Sequence, residues 1–142
     1  MPRPRMVSLR HAMPEHWRTI LRLQGGYYLA TGVWPLLHIP SFEAVTGPKT
    51  DDWLVHMVGL LAAVNGAALG LAAQKSRHLE TEMVILAAGT ALAFAAIDIW
   101  YVLKGVISPI YLADAAVQLT LLIGIGMAHR TRSSLELPEV RI

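Results

Sequence analysis

The chain has 142 residues, of which 54% are hydrophobic and only 15% are charged, and it contains no cysteine. A soluble domain is usually about a quarter charged, so this composition argues against an ordinary soluble protein, and the lack of cysteine excludes disulfides and thiolate metal sites. The formal net charge of +2 and the sparsely basic N-terminus do not suggest a protein that binds nucleic acid.

The apolar residues form long blocks that predict membrane-spanning helices. Three blocks exceed the roughly 18 residues that mark a spanning helix and contain at most one charged residue each, namely 53–73, 83–103 and 106–128. A fourth block, 23–39, is interrupted by Gln24, Pro35 and His38. We include it because the outer loops would otherwise change sides. The sequence therefore predicts an all-α integral membrane protein with spans at about 18–39, 53–73, 82–104 and 108–128.

The first predicted elements are a basic arm at residues 1–13 and a first span that Pro35 should kink near its outer end. The longest outer loop follows, and we expect Ser41 to cap a short turn in it that ends at Gly47. Thr50 is a suitable N-cap for the second span, because acidic residues follow it in the first turn, where the helix dipole favours anions.

Short hairpins join the later spans. The inner hairpin AAQKSRHLETE and the outer hairpin LKGVISPI are too short for parallel neighbours, so consecutive helices should be antiparallel. The pair Ser108–Pro109 fits an N-cap followed by proline at the first helical position of the fourth span. The prediction is an up-down four-helix transmembrane bundle within residues 14–129, followed by a polar tail at 130–142.

The distribution of basic residues predicts the orientation of the bundle. If the N-terminus is cytoplasmic, ten of the twelve Lys and Arg residues lie on that side, and only Lys49 and Lys104 lie on the other. Such a bias is typical of inner-membrane proteins, whose cytoplasmic loops are enriched in Lys and Arg. We therefore expect a multi-pass protein of the cell inner membrane with both termini in the cytoplasm.

Small residues on the second span predict a helix–helix contact. They recur at spacings of three and four, and in lipid such stripes mark interfaces where helix backbones approach closely: Gly59, Ala63, Gly66 and Gly70. His56 lies three residues before Gly59 and should point into the bundle from the same face. Asn65 falls roughly opposite, at about 100° per residue, and should mark a second interface or a dimer contact.

Polar and aromatic residues also recur at spacings of three and four on the spans, so each set forms one helical face. Facing lipid these polar groups would be costly, and we expect them to converge on the interior. The predicted ligand-binding residues are Tyr27, Trp34, His38, His56, Asp98, Tyr101, Tyr111, Asp114 and Gln118. For most aromatic residues near span ends, Tyr28 and Trp100 among them, a belt at the membrane interface is the favoured interpretation.

Two acids inside the apolar blocks are the leading candidates for chemistry. Asp98 lies about 9 Å before Lys104 along a helix, and Asp114 lies about 8 Å after Pro109, so both should lie at one depth. Carboxylates this close would repel each other, which predicts a shared proton. The catalytic candidates are these two acids and His56, and the structural alternative is that the acids only lock the outer hairpin.

The histidines do not predict a metal site. Two His and two Asp could ligate a divalent metal, but no HxxxH, HxH or HExxH spacing occurs, and the four residues come from four helices. Bis-His haem ligation by His38 and His56 is disfavoured because both lie near a membrane face. We predict no metal, and the sequence does not identify a cofactor.

A first span ending in GVWPLLHIPSF, followed by three spans with short hairpins, resembles the small DoxX-like bacterial membrane proteins. The likeness covers the whole span layout and rests on the exit from Gly32 to Pro35 and on the hairpin lengths. It implies a helical inner-membrane subunit, in several cases associated with quinone or redox partners. A more distant likeness is to the four-span emopamil-binding protein family, which implies a lipid-like ligand beside buried acids and His, and in some members isomerisation of a sterol double bond.

Three functions remain open from the sequence. The leading hypothesis is an inner-membrane protein whose outer-side polar cavity binds a small amphipathic, lipidic or quinone-like ligand, alone, as a homo-oligomer or within a larger membrane complex. The enzyme alternative uses His56 with Asp98 or Asp114 as an acid/base pair in an isomerase-like reaction. The transport alternative uses the two acids as a proton-coupled relay.

Overall fold

A computed structural model describes residues 12–76 and 78–135 of the chain. Within these ranges every regular element is a helix: α1 (Glu15–Leu37), α2 (Ile39–Thr46), α3 (Asp52–Lys75), α4 (Thr81–Leu103) and α5 (Tyr111–Leu135). The predicted arm lies mostly outside the described residues, as does the tail from residue 136 onward. α5 continues to Leu135, so the predicted tail begins as helix.

Three of the helices are long and apolar enough to cross a membrane: Asp52–Lys75, Thr81–Leu103 and Tyr111–Thr131. They expose large apolar side chains along most of their length, as expected of helices that face lipid. The prediction of an all-helical, multi-pass membrane protein is confirmed at this level. α1 has 23 residues but carries Arg18, Arg22 and Gln24, and it is not among the three, so the fourth span stays a prediction.

The outer loop contains more helix than predicted. α2 follows α1 after His38, whose Nδ1 accepts a hydrogen bond from the backbone N–H of Ser41 at 3.1 Å and so caps the new helix. The helix ends at Gly47, whose φ of 87° lies in the left-handed region and suits glycine. The predicted end is therefore right, but the N-cap is His38 instead of Ser41. The N-cap of α3 is likewise Asp51 instead of Thr50.

α1 and α3 pack in antiparallel contact along a seam of glycines. A Cβ atom added at Gly66 would lie 2.6 Å from the carbonyl oxygen of Gly25, and one added at Gly59 would lie 2.6 Å from that of Gly32. Only residues without a side chain allow backbones to approach this closely. The predicted interface is therefore confirmed at Gly59 and Gly66. The backbone of Gly70 also lies in this contact, since a Cβ atom added at Gly25 would lie 2.8 Å from its nitrogen, but a Cβ atom added at Gly70 itself would meet nothing within 4 Å.

Arg18 fixes the register of this helix pair at the end opposite α2. Its guanidinium donates hydrogen bonds to the carbonyl oxygens of Ala73, at 2.7 Å, and Ser76, at 3.0 Å. These carbonyls belong to the last turn of α3 and to its C-cap, where backbone carbonyl groups lack partners within the helix. Because Gly32 meets Gly59 near the other end, α1 accompanies α3 over its whole length.

The second helix pair is α4 with α5, and it contacts the first pair sparsely. At the end opposite α2 the two pairs share a buried apolar cluster, comprising Met13, Trp17, Leu21, Tyr28, Leu69, Ala73, Leu79, Ala87, Ile125 and Ala128. Midway along α3, Asn65 donates a hydrogen bond to Thr90 of α4 at 2.7 Å, so Asn65 marks the second interface that its position predicted. Towards the α2 end the pairs separate, and a cavity lies between them.

Candidate functional site

The cavity has a volume of about 670 Å³, within the range of roughly 300–1,000 Å³ that is usual for small-molecule sites. Its walls are mostly apolar, with side chains such as Val58, Phe94 and Ile97 facing a small number of polar groups. The polar or titratable side chains that line it are Tyr27, Tyr28, Thr31, Trp34, Thr46, Lys49, Asp98, Tyr111, Asp114 and Gln118.

The two predicted acids meet in this cavity. Asp98 of α4 is only 6% exposed, and its carboxyl group lies close enough to that of Asp114 of α5 for the two to interact. Two carboxylates this close repel each other, which favours a proton on one of them. The Oδ2 atom of Asp98 is buried and has no hydrogen-bond partner among the described residues. The two acids therefore meet in mostly apolar surroundings at the cavity wall.

Asp114 is held in place from two sides. The Tyr27 hydroxyl on α1 donates a hydrogen bond to Oδ1 of Asp114. The Gln118 amide, one turn further along α5, donates to the same oxygen at 3.2 Å. These contacts join α1 to α5 at the depth of the acid pair.

A buried polar chain continues from Gln118 away from the acids. The Tyr28 hydroxyl donates to Oε1 of Gln118 at 2.7 Å and accepts from Nε2 of Gln24 at 3.0 Å. The same Gln24 nitrogen lies 2.8 Å from the carbonyl oxygen of Ala87 on α4. Tyr28 and Gln24 are 1% and 0% exposed, so Tyr28 is a core residue, and the interfacial-belt interpretation is wrong for it.

α2 and the loop after it cover one end of the cavity. The Lys49 ammonium donates to the carbonyl oxygens of Thr46, at 3.0 Å, and Gly47, at 2.8 Å. It also lies 5.3 Å from the centre of the Tyr111 ring, a geometry that favours a cation–π contact. The Trp34 indole is fixed by its Nε1–H, which donates to the hydroxyl of Ser41 in α2 at 2.9 Å.

Six of the nine predicted ligand-binding residues line the cavity: Tyr27, Trp34, Asp98, Tyr111, Asp114 and Gln118. Three do not. His38 is exposed and caps α2, Tyr101 is 39% exposed near the end of α4, and His56 is half-buried outside the lining.

The rotation of α3 explains why His56 lies outside the cavity. At about 100° per residue, His56 lies about 60° to one side of Gly59, whereas Val55, Val58 and Ala62 lie on the other side. The Gly59 face meets α1, and the side bearing Val55, Val58 and Ala62 lines the cavity. The side chain of His56 therefore points away from the cavity. The acid/base pair of His56 with an aspartate, as we predicted it, has no support from this geometry.

Two residues of the site were missed in the sequence. Tyr28 lies four residues after Gln24, a spacing that places both on one helical face, so a signal for its burial was present. Lys49 lies in the segment between α2 and α3, where no periodicity relates it to a face. Its place at the cavity depends on how α2 folds back, and local sequence does not encode that.

The described residues contain no group of three or more His, Asp or Glu side chains that could hold a metal ion.

The fold and the site together define an all-helical chain with three helices able to cross a membrane and an internal cavity that contains a carboxyl pair. Comparisons of the chain with family models, with curated proteins and with solved structures found no significant match.

Proposed function

We propose that the protein is a four-span inner-membrane protein with both termini in the cytoplasm. α1 supports this proposal because it accompanies α3 over its whole length, from the Arg18 contact at one end to the contact between Gly32 and Gly59 near the other. A helix tied to a spanning partner in this way crosses the same thickness of membrane. The ten basic residues that four spans place on one side support the orientation.

Reporter fusions test this topology. Fusions after Ser76 and at the C-terminus should report the cytoplasm, and fusions near Lys49 and Gly105 should report the opposite side. The physical reason is the retention of Lys and Arg on the cytoplasmic side during insertion. A tag at the N-terminus tests α1 itself: four spans place it on the same side as Ser76, and a tag found on the side of Lys49 would contradict them.

We further propose that the cavity binds a small amphipathic or lipidic ligand. The observation that carries this proposal is the meeting of Asp98 and Asp114 on the lining of a cavity of about 670 Å³ whose walls are otherwise mostly apolar. An acid within the membrane is costly, and a ligand with a hydrogen-bonding head group would offset part of that cost. Apolar walls around a few convergent polar groups are the usual composition of such a site.

The arrangement of the walls indicates how the ligand lies. The head group contacts Asp98 and Asp114, and the apolar body lies along Phe94, Ile97 and Val58, which line the same space. A quinone-like or lipid molecule has this division between head and body. The proposed ligand therefore also agrees with the expectation from the DoxX-like resemblance, which stays a prediction.

The other two functions have less support. A proton-coupled transporter needs a polar route on both sides of the acids, but beyond Gln24 the described interior is the apolar cluster that contains Trp17, Leu21 and Leu69. An isomerase-like enzyme lacks its predicted histidine at the site. One carboxyl pair that shares a proton can still act as acid and base, so an enzyme that uses Asp98 and Asp114 alone is the second candidate.

Mass spectrometry of co-purifying small molecules tests the binding proposal. The protein is purified from membranes in a mild detergent, and its extract is compared with those of the variants Asp98→Asn and Asp52→Asn. Asp52 is an exposed acid in the first turn of α3 and serves as the matched control. We expect one class of amphipathic molecule to be enriched in the native and Asp52→Asn proteins and lost from Asp98→Asn. The same bulk-lipid profile in all three would contradict the proposal.

A further inference from the structure

We propose that the cavity opens sideways into the bilayer between α3 and α4, so that its ligand is a membrane-dissolved molecule that enters laterally. The identity of the ligand as amphipathic rests on the proposed function above. The opening itself is a property of the helix arrangement and can be tested without any ligand.

Two of the lateral walls are closed by helix packing. Between α1 and α3 the two backbones are in contact along the glycine seam, because Gly59 and Gly66 have no side chains to hold the helices apart. α4 and α5 also pack closely, and Ala95 and Ala115 are buried between them, at 2% and 3% exposure. Neither pair leaves room for a ligand to pass.

The third lateral wall is closed by hydrogen bonds. At the depth of the acids, α1 is joined to α5 by the bond from Tyr27 to Asp114 and, one turn deeper, by the bond from Tyr28 to Gln118. A ligand that entered here would have to break buried hydrogen bonds, and each unpaired buried group would cost about 1–3 kcal/mol.

Contacts also cross both ends of the cavity, although Ile110 at the α2 end lines it and is 45% exposed. At the α2 end, Lys49 is tied to the carbonyl oxygens of Thr46 and Gly47 and lies over the Tyr111 ring. At the opposite end lies the buried apolar cluster around Trp17 and Leu21. Of the neighbouring helix pairs around the cavity, α3 and α4 make the sparsest contact.

The contact between α3 and α4 is sparse, and its described side-chain hydrogen bond lies at mid-depth, between Asn65 and Thr90. Towards the α2 end the two helices present Val58 and Ile97. These side chains line the cavity and are nevertheless 46% and 53% exposed. We take these half-exposed lining residues on two sparsely packed helices as the rim of the opening.

The composition of this rim determines what can pass. Val58 and Ile97 are apolar, as are Leu54 and Val55 beside them on the cavity lining. At this depth the rim faces hydrocarbon, which favours an acyl chain or another apolar body and disfavours water or an ion. The ligand is therefore a lipid-soluble molecule whose head group is uncharged while it passes, and a water-soluble metabolite does not fit.

Spin labelling tests the opening directly, because the chain contains no cysteine and a single introduced cysteine is labelled uniquely. Thr31 lies on α1, half-buried, and lines the cavity away from the α3/α4 rim. The variant Thr31→Cys carries a nitroxide in lipid nanodiscs, and its collisions with oxygen, which concentrates in hydrocarbon, are compared with those of a water-soluble nickel chelate. Leu61→Cys, at a position 64% exposed and outside the lining, gives the lipid reference.

We expect the label at Thr31→Cys to collide with oxygen at a rate within about threefold of the Leu61→Cys reference and hardly at all with nickel. Adding Val58→Trp should narrow the rim and lower the oxygen rate severalfold. Adding Leu60→Trp, at a position 54% exposed and not on the lining, should leave it unchanged. The melting temperature of each labelled variant verifies that it is folded.

Two outcomes would overturn this inference. Nickel collisions more frequent than oxygen collisions would place the opening at the water surface. Low collision rates with both reagents, unchanged by Val58→Trp, would show that the cavity is closed. Either result leaves the binding proposal standing if a co-purifying ligand is found. Lateral access without any enriched ligand would instead support the opening and contradict the proposed function.

Discussion

Replacing Gly66 by alanine should destabilise the protein strongly, whereas the same replacement at Gly70, one turn away, should not. The new methyl group at Gly66 would lie 2.6 Å from the Gly25 carbonyl oxygen, and this neighbour is backbone that cannot rotate away. Forced overpacking typically costs about 1–3 kcal/mol, and the rigidity of the seam places Gly66→Ala at the upper end of that range. A melting curve in detergent measures the effect.

The other helix of the seam supplies an independent test of the same contact. A Cβ atom at Gly25 would lie 2.7 Å from the Gly66 carbonyl oxygen, whereas one at Gly26 meets nothing within 4 Å. Gly25→Ala should therefore lower the melting temperature, and Gly26→Ala should be neutral or slightly stabilising because alanine favours helix by about 1 kcal/mol. Equal melting temperatures within both pairs would show that α1 and α3 do not meet along this face.

The variant Asp98→Asn should lose ligand binding while its stability stays the same or rises. Asparagine has the shape of aspartate and can donate its amide hydrogens to Asp114, but it has no transferable proton. An acid pair that shares one proton carries a single negative charge, as does Asp114 beside asparagine, so the substitution should not destabilise the fold. We expect at least a tenfold loss of ligand affinity, equivalent to about 1.4 kcal/mol, with a melting temperature equal to or above that of the native protein.

The opposite result would identify a structural role for the acids. If Asp98 and Asp114 only lock the hairpin between α4 and α5, Asp98→Asn should lower the melting temperature and leave the amount of bound ligand unchanged. The exposed Asp52 again supplies the control, because Asp52→Asn makes the same substitution at an acid outside the cavity lining. Measuring stability and ligand content on one preparation separates the two roles.

Much of the architecture could be predicted because it depends on properties that each helix carries by itself. Block hydropathy identifies α3, α4 and α5, since the length of an apolar run and its charge content decide whether a helix can cross lipid. The short connection between α4 and α5 requires antiparallel neighbours, so the equal spacing of Asp98 and Asp114 from their hairpin places the acids at one depth. The stripe through Gly59 and Gly66 likewise indicates a close helix contact, whatever the partner.

Tertiary structure decided which neighbour each helical face meets. A periodic pattern gives the angle of a residue around its own axis, but the rotation of that axis against other helices depends on how all the faces pack together. For this reason Gly59 and Gly66 face α1 instead of the cavity, His56 lies outside the site, and the side-chain direction of Gly70 is open. For the same reason Lys49 reaches the cavity only because α2 folds back over its end, a contact between segments that no local pattern along the chain records.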